Sequence, residues 1–214
     1  MSQEFASAEL TVGQLNALVK NLMIQMDIAD PIEAVRRVNS GEWVAKATEQ
    51  KWREENGVIF FSVTSDGATG PEWIERLEKQ GFQVGSYAKS VLRSSDFVPT
   101  NGVTSEVAVL KGILFEDDDR ITKNIRAEAG KRKLEKPNAE VACLIREKFT
   151  DEEIKAMGLW WIVAMHEPIK DSDGDPNLLG ASRNGDGRWL YANFDKPGLR
   201  WNRGRGFAFA VPQV

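Results

Sequence analysis

The stretch Arg188-Trp189-Leu190-Tyr191-Ala192-Asn193-Phe194 sorts into two sets by alternation. Leu190, Ala192 and Phe194 read as the core face of a strand. Trp189, Tyr191 and Asn193 form the opposite face, aromatic plus amide. Arginines flank it at Arg183, Arg188, Arg200, Arg203 and Arg205. Rings, guanidinium and amide groups together stack on and hydrogen-bond to sugars, peptide side chains or bases. The expected binding residues are Trp189, Tyr191, Asn193, Arg188, Trp201 and Arg203. A packing explanation competes with this. In Phe207-Ala208-Phe209-Ala210-Val211 large and small residues alternate, so Ala208 and Ala210 on a neighbouring strand would make room for Trp189 and Tyr191.

A second chemistry centres on His166 and Glu167, which close the apolar run Leu159 to His166. With Cys143, Ser62 or Ser65 folded nearby, a nucleophile–base pair would form. The loop from Ser65 to Gly70 follows a strand and precedes a helix, an arrangement that offers backbone N–H groups to an anion. It matches neither the dinucleotide fingerprint nor the lysine-containing phosphate loop. Asp171, Asp173 and Asp175 have the spacing of a calcium loop. Pro176 stands where that loop needs glycine and Ser182 where it needs glutamate, so a solvated acidic turn is the better reading. Between Arg120 and Lys136 the cations Arg120, Lys123, Arg126, Lys131, Arg132, Lys133 and Lys136 face only Glu128 and Glu135. That is a polyanion footprint. Acids at 116–119 before the helix and bases at its end also suit the helix dipole with no partner.

Composition limits the rest. The chain has 214 residues, 42% hydrophobic and 28% charged, which excludes disorder and collagen-like repeats. Cys143 is the lone cysteine and His166 the lone histidine, so no intrachain disulfide and no two-histidine zinc site can form. No cofactor is implied. A net charge of −4 argues against a surface that grips nucleic acid all over. The start MSQEFASAEL has no basic, apolar leader, and no run reaches the ~18 residues of a spanning helix. A cytoplasmic protein with no membrane partner is the expectation.

The elements that position these residues are legible from caps and periodicity. Thr11 and Gln14 form a capping box ahead of Leu15, Leu18, Val19, Leu22, Met23 and Met26. Asp30-Pro31 opens a second helix, with Val35 and Val38 inward and Gly41 as its stop. Gly57 to Thr64 reads as a buried strand, Thr69 to Gly81 as a capped helix, and Tyr87 to Leu92 as a short helix. Asp96 to Gly102 is turn-rich, and Glu106 to Ile113 is a strand. A thin-striped charged helix runs from about Arg120 to Leu134. Asn138 and Thr150 cap two more helices. Leu159 to His166 is apolar on both faces, as a central strand would be. Leu178–Arg183, Arg188–Phe194 and Phe207–Val211 follow as strands, the first two joined by the hairpin signal Asn184-Gly185-Asp186-Gly187.

Arg188 to Asp195, Arg200-Trp201-Asn202-Arg203 and Gly206 to Val211 together resemble the C-terminus of many uncharacterised bacterial proteins. Val63 to Leu77 and Asn138 to Glu147 extend that resemblance to one such family across most of the chain. The family has no established activity, so the resemblance implies no site residues. The closing Phe-x-Phe strand is loosely similar to the last strand of lectin-like domains.

These readings combine into an α+β fold: a mixed or antiparallel sheet covered by helices and closed by a C-terminal β-meander at 168–214. Residues 1–45 read as an N-terminal helical layer, separate or part of the same domain, and 46–214 as the α+β domain. The expected function is a recognition module rather than an enzyme. Its aromatic and arginine-rich C-terminal face would bind a protein, glycan or nucleic acid, with nucleic acid the least favoured. The alternatives are an enzyme centred on His166, Glu167 and the Ser65–Gly70 loop, and polyanion binding by the 120–136 helix.

Overall fold

The computed structural model describes residues 11–43, 51–184 and 187–212. The chain divides into two compact units, with the division between Gln50 and Lys51. The expected boundary between residues 45 and 46 lies outside the described residues.

The first unit is a helix pair, α1 (Val12–Met26) and α2 (Pro31–Asn39). Both starts follow their cap signals. The Thr11–Gln14 capping box is complete, and Asp30 Oδ1 accepts the Ile32 N–H at 2.9 Å. Ala34, not Val35 or Val38, is the buried residue of α2. Leu15, Val19, Met23, Pro31, Ile32 and Val35 border an apolar concavity between the helices.

The second unit is built on a nine-stranded mixed sheet. Its strands are β1 (Arg53–Glu55), β2 (Val58–Asp66), β3 (Gln83–Val84), β4 (Asn101–Lys111), β5 (Trp161–Ala164), β6 (Ile169–Lys170), β7 (Pro176–Asn184), β8 (Gly187–Phe194) and β9 (Arg205–Ala210). Their order is β1-β2-β4-β9-β5-β7-β8-β3, with β6 paired to β7. The fold class is α+β. Strands β7 and β8 form the hairpin that Asn184 and Gly187 signalled; the turn residues 185–186 lie outside the described residues. β9 does not continue as the neighbour of β8, as a strict meander would have it. It inserts between β4, antiparallel, and β5, parallel. Alternation of large and small side chains marks β9 as a strand without naming its neighbours, so only burial on both faces decides its place.

One sheet face is covered by α3 (Gly70–Lys79), α4 (Ser86–Arg93), α6 (Val141–Lys148) and α7 (Asp151–Ala156). Trp73, Leu77, Val91, Cys143, Ile145 and Ile154 meet Phe61, Val109, Ile162, Ala208 and Leu190 there. Gly70 has no room for a side chain, because a Cβ would sit 1.6 Å from the Leu92 carbonyl oxygen. This fixes α3 close on α4. The other face is covered by α5 (Thr122–Lys131), whose Ile125 and Ala129 join Leu110, Phe207, Phe209 and Trp201. α5 is shorter than the charged run suggested. Arg120 and Leu134 fall outside it, and Arg120 is itself buried.

Candidate functional site

Across the second face, register aligns side chains in rows. Gln83 pairs with Trp189, Trp189 with Ser182, Ser182 with Trp161, and Trp161 with Arg205. Directly opposed residues share a face. In the next row Tyr191 pairs with Gly180 and Gly180 with Val163. Ser182 and Gly180 are small, so the large rings on either side lean together over β7. A Cβ at Gly180 would lie 2.5 Å from Trp161 Nε1.

The result is a stack. The Trp189 and Tyr191 rings are 4.8 Å apart and nearly parallel, and Trp161 lies 5.3 Å from Tyr191. The Arg205 guanidinium sits 4.4 Å from the Trp161 centroid and 4.9 Å from that of Trp201. Trp161, Trp189, Tyr191, Asn193 and Arg205 are each half-buried. Arg205 donates from Nη1 to Asn193 Oδ1 at 3.2 Å. No carboxylate lies within ion-pair distance of it among the described residues. Desolvation holds its pKa below the ordinary arginine value.

The arginine end of the stack opens into a concavity of about 390 Å³ lined by Trp160, Trp161, Asn202, Gly204 and Arg205. It lies where the parallel strands β5 and β9 begin. Trp160 N donates to Gly204 O at 2.8 Å. The Trp160 side chain is 61% exposed, and the Arg183 guanidinium stacks 4.4 Å from its centroid.

The expected binding set is therefore divided. Trp189, Tyr191 and Asn193 share one face, but the faces of their rings are largely turned on one another. Arg188 lies over Phe82, on the helix-covered face opposite Trp189. Trp201 is buried, its indole N–H donating to Thr122 Oγ1 at 3.0 Å, so it braces the stack from inside. Arg203 is exposed in the turn before β9. The room for Trp189 and Tyr191 comes from Gly180 and Ser182, not from Ala208 and Ala210, because β9 is not their neighbour. Trp160, Trp161 and Asn202 were missed. Their weight depends on strand neighbours more than twenty residues away, and a local reading places Trp160 and Trp161 only in an apolar run.

The other candidates take structural roles. His166 is buried, with Nδ1 2.6 Å from Glu167 O and Nε2 accepting the Leu179 N–H at 2.9 Å. Burial lowers its pKa to about 4. Both ring nitrogens are occupied, so neither takes a proton from a substrate without breaking a backbone contact. His166 and Glu167 themselves line a concavity with Asn138 and Pro168, and none of the Ser65–Gly70 loop reaches it. Cys143 is buried, and desolvation pushes its thiol well above the usual range, away from the reactive thiolate. Ser65 bonds to Thr100 and Val103, and Thr100 bonds to the buried Glu140. The helix start beyond the loop is closed by the Thr69–Glu72 capping box.

Asp171 accepts from the N–H groups of Asp173 and Asp175 and from Asn177, and Asp173 accepts from the Tyr87 hydroxyl, so the acids of this turn are held by protein donors. Among the described residues no group of histidine, cysteine and carboxylate residues is arranged to hold a metal. Within 120–136, Arg120, Arg126, Lys131, Arg132 and Lys136 pair with Asp117, Asp195, Glu128, Glu128 and Glu167. No described helix is long and apolar enough to cross a membrane. Compared with protein-family models, curated proteins and solved structures, the chain matches none.

Proposed function

We propose that the protein is a recognition module that holds a macromolecular or glycan ligand at the arginine end of the ring stack. The observation that carries this reading is Trp160. It is a large indole, 61% exposed, on the rim of a concavity that also contains a cation with no carboxylate partner among the described residues. Tryptophan and arginine at the centre of a concave patch are the residue types that dominate binding energies. The stack behind them supplies rigidity. Trp161 is fixed between Tyr191 and Arg205, so little side-chain entropy remains to be lost on binding. This site lies at one end of the face first read from Trp189 and Tyr191, which act as its support.

The test is Trp160→Ala, screened beside the wild type on glycan, peptide and single-stranded oligonucleotide arrays. One ligand class should bind the wild type, and the variant should lose about tenfold or more while its melting is unchanged. Binding that is indifferent to Trp160→Ala, or no binding in any class, overturns the reading.

A further inference from the structure

We infer that the concavity at Trp160 and Arg205 takes a carboxylate-bearing sugar unit, so that the ligand is an acidic glycan. This inference rests on the recognition reading above and narrows it. Arg205 spends one donor, Nη1, on Asn193. Its Nε and Nη2 edge has no protein acceptor among the described residues. That edge is a planar fork that matches a carboxylate with two parallel hydrogen bonds. The stacked rings of Trp161 and Trp201 hold the fork in place. Nothing else described offsets its charge, and a half-desolvated cation gains from an incoming anion more than an exposed one does.

The rest of the lining suits a sugar. The exposed Trp160 indole offers an apolar wall for C–H groups, and the exposed Asn202 stands beside it with amide groups for hydroxyls. The volume of about 390 Å³ is that of a small-ligand site, room for a ring rather than for a folded peptide. A nucleic acid is a poorer match. Phosphate chains need several cations in register, yet nearby Arg200 is paired with Asp118. The net charge of −4 also opposes a long polyanion.

The experiment titrates the whole protein with acidic oligosaccharides carrying galacturonate, glucuronate or terminal sialic acid. Each is compared with its methyl ester, which removes the charge and keeps the shape. At least one acid should bind about tenfold or more tighter than its ester, because a charge-assisted hydrogen bond is lost on esterification. Arg205→Gln should abolish that preference, and Arg205→Lys should restore part of it. The acid-to-ester ratio of the wild type needs no variant, so a misfolded substitution leaves the test intact. Equal affinity for acid and ester, tighter binding of an oligothymidylate or an acidic peptide, or no binding of any acid overturns the inference. Equal affinities that both fall in Trp160→Ala overturn the inference alone. Binding unchanged in Trp160→Ala overturns the recognition reading beneath it.

Discussion

At the scale of the residue, the lone histidine and one glycine carry most of the testable content. His166 is kept neutral by burial, with its pKa near 4 against an ordinary 6.5. The unfolded chain therefore binds a proton at pH values where the folded chain does not. Stability from this group is complete above about pH 6.5, declines as pH falls, and is fully lost below about pH 4. The loss is on the order of 3 kcal/mol. Melting temperatures followed from pH 7 to pH 4 should fall in the wild type and fall less in His166→Gln. Parallel slopes would exclude the histidine as the cause. Gly180 makes the second case. A methyl group there meets Trp161 Nε1 at 2.5 Å and Ile162 O at 3.0 Å, the latter on unyielding backbone. Gly180→Ala should cost about 1–3 kcal/mol in a denaturant titration and change tryptophan fluorescence as the stack parts. Wild-type stability in that variant would mean the rings are not seated over β7.

At the scale of the element, ends and crossings do the positioning. α7 is six residues long and begins with a complete capping box, Thr150 with Glu153. So short a helix has little cooperativity of its own, and it delivers Ile154 to the core and leads directly into β5. Thr150→Ala should lower stability by about 1 kcal/mol. Thr150→Ser should recover most of it, as thermal unfolding would reveal. α6 is tied to β7 by the buried Arg146, which donates to Ser182 O at 2.9 Å and to Phe149 O. Ser182 is also the small residue beneath Trp161 and Trp189. One residue thus links the helix-covered face to the ring face. Caps and helix periodicity are local properties, so α1, α3, α4 and α7 are readable from the chain. α5 is overread by several residues. The chain leaves the helix at Arg132, while the run of charges continues to Lys136.

At the scale of the whole molecule, the sheet and its covering helices belong to Lys51–Val214, and α1 and α2 form a separate unit. A chain beginning at Lys51 should melt in a single cooperative transition, with a midpoint within a few degrees of the full-length protein. Loss of cooperativity on calorimetry would mean the larger unit depends on the smaller. The sheet also separates the first aromatic reading from the site proposed here. Parallel pairing of β5 with β9 brings Trp160 and Trp161 beside Gly204 and Arg205 across more than forty residues of chain.

From the amino-acid order alone come the α+β class, the starts of α1, α2, α3 and α7, a central strand within Leu159–His166 and the aromatic character of Trp189 and Tyr191. Each depends on neighbours within about one helical turn or one alternation, where backbone sterics and side-chain caps act directly. Tertiary structure alone decides which strands become neighbours, and so which rings meet. It turns Arg188 and Trp201 away from the surface first assigned to them and gathers Trp160, Trp161, Asn202 and Arg205. The reason is physical. Strand order is set by burying both faces of the sheet at once, a condition on the whole chain that no short window contains.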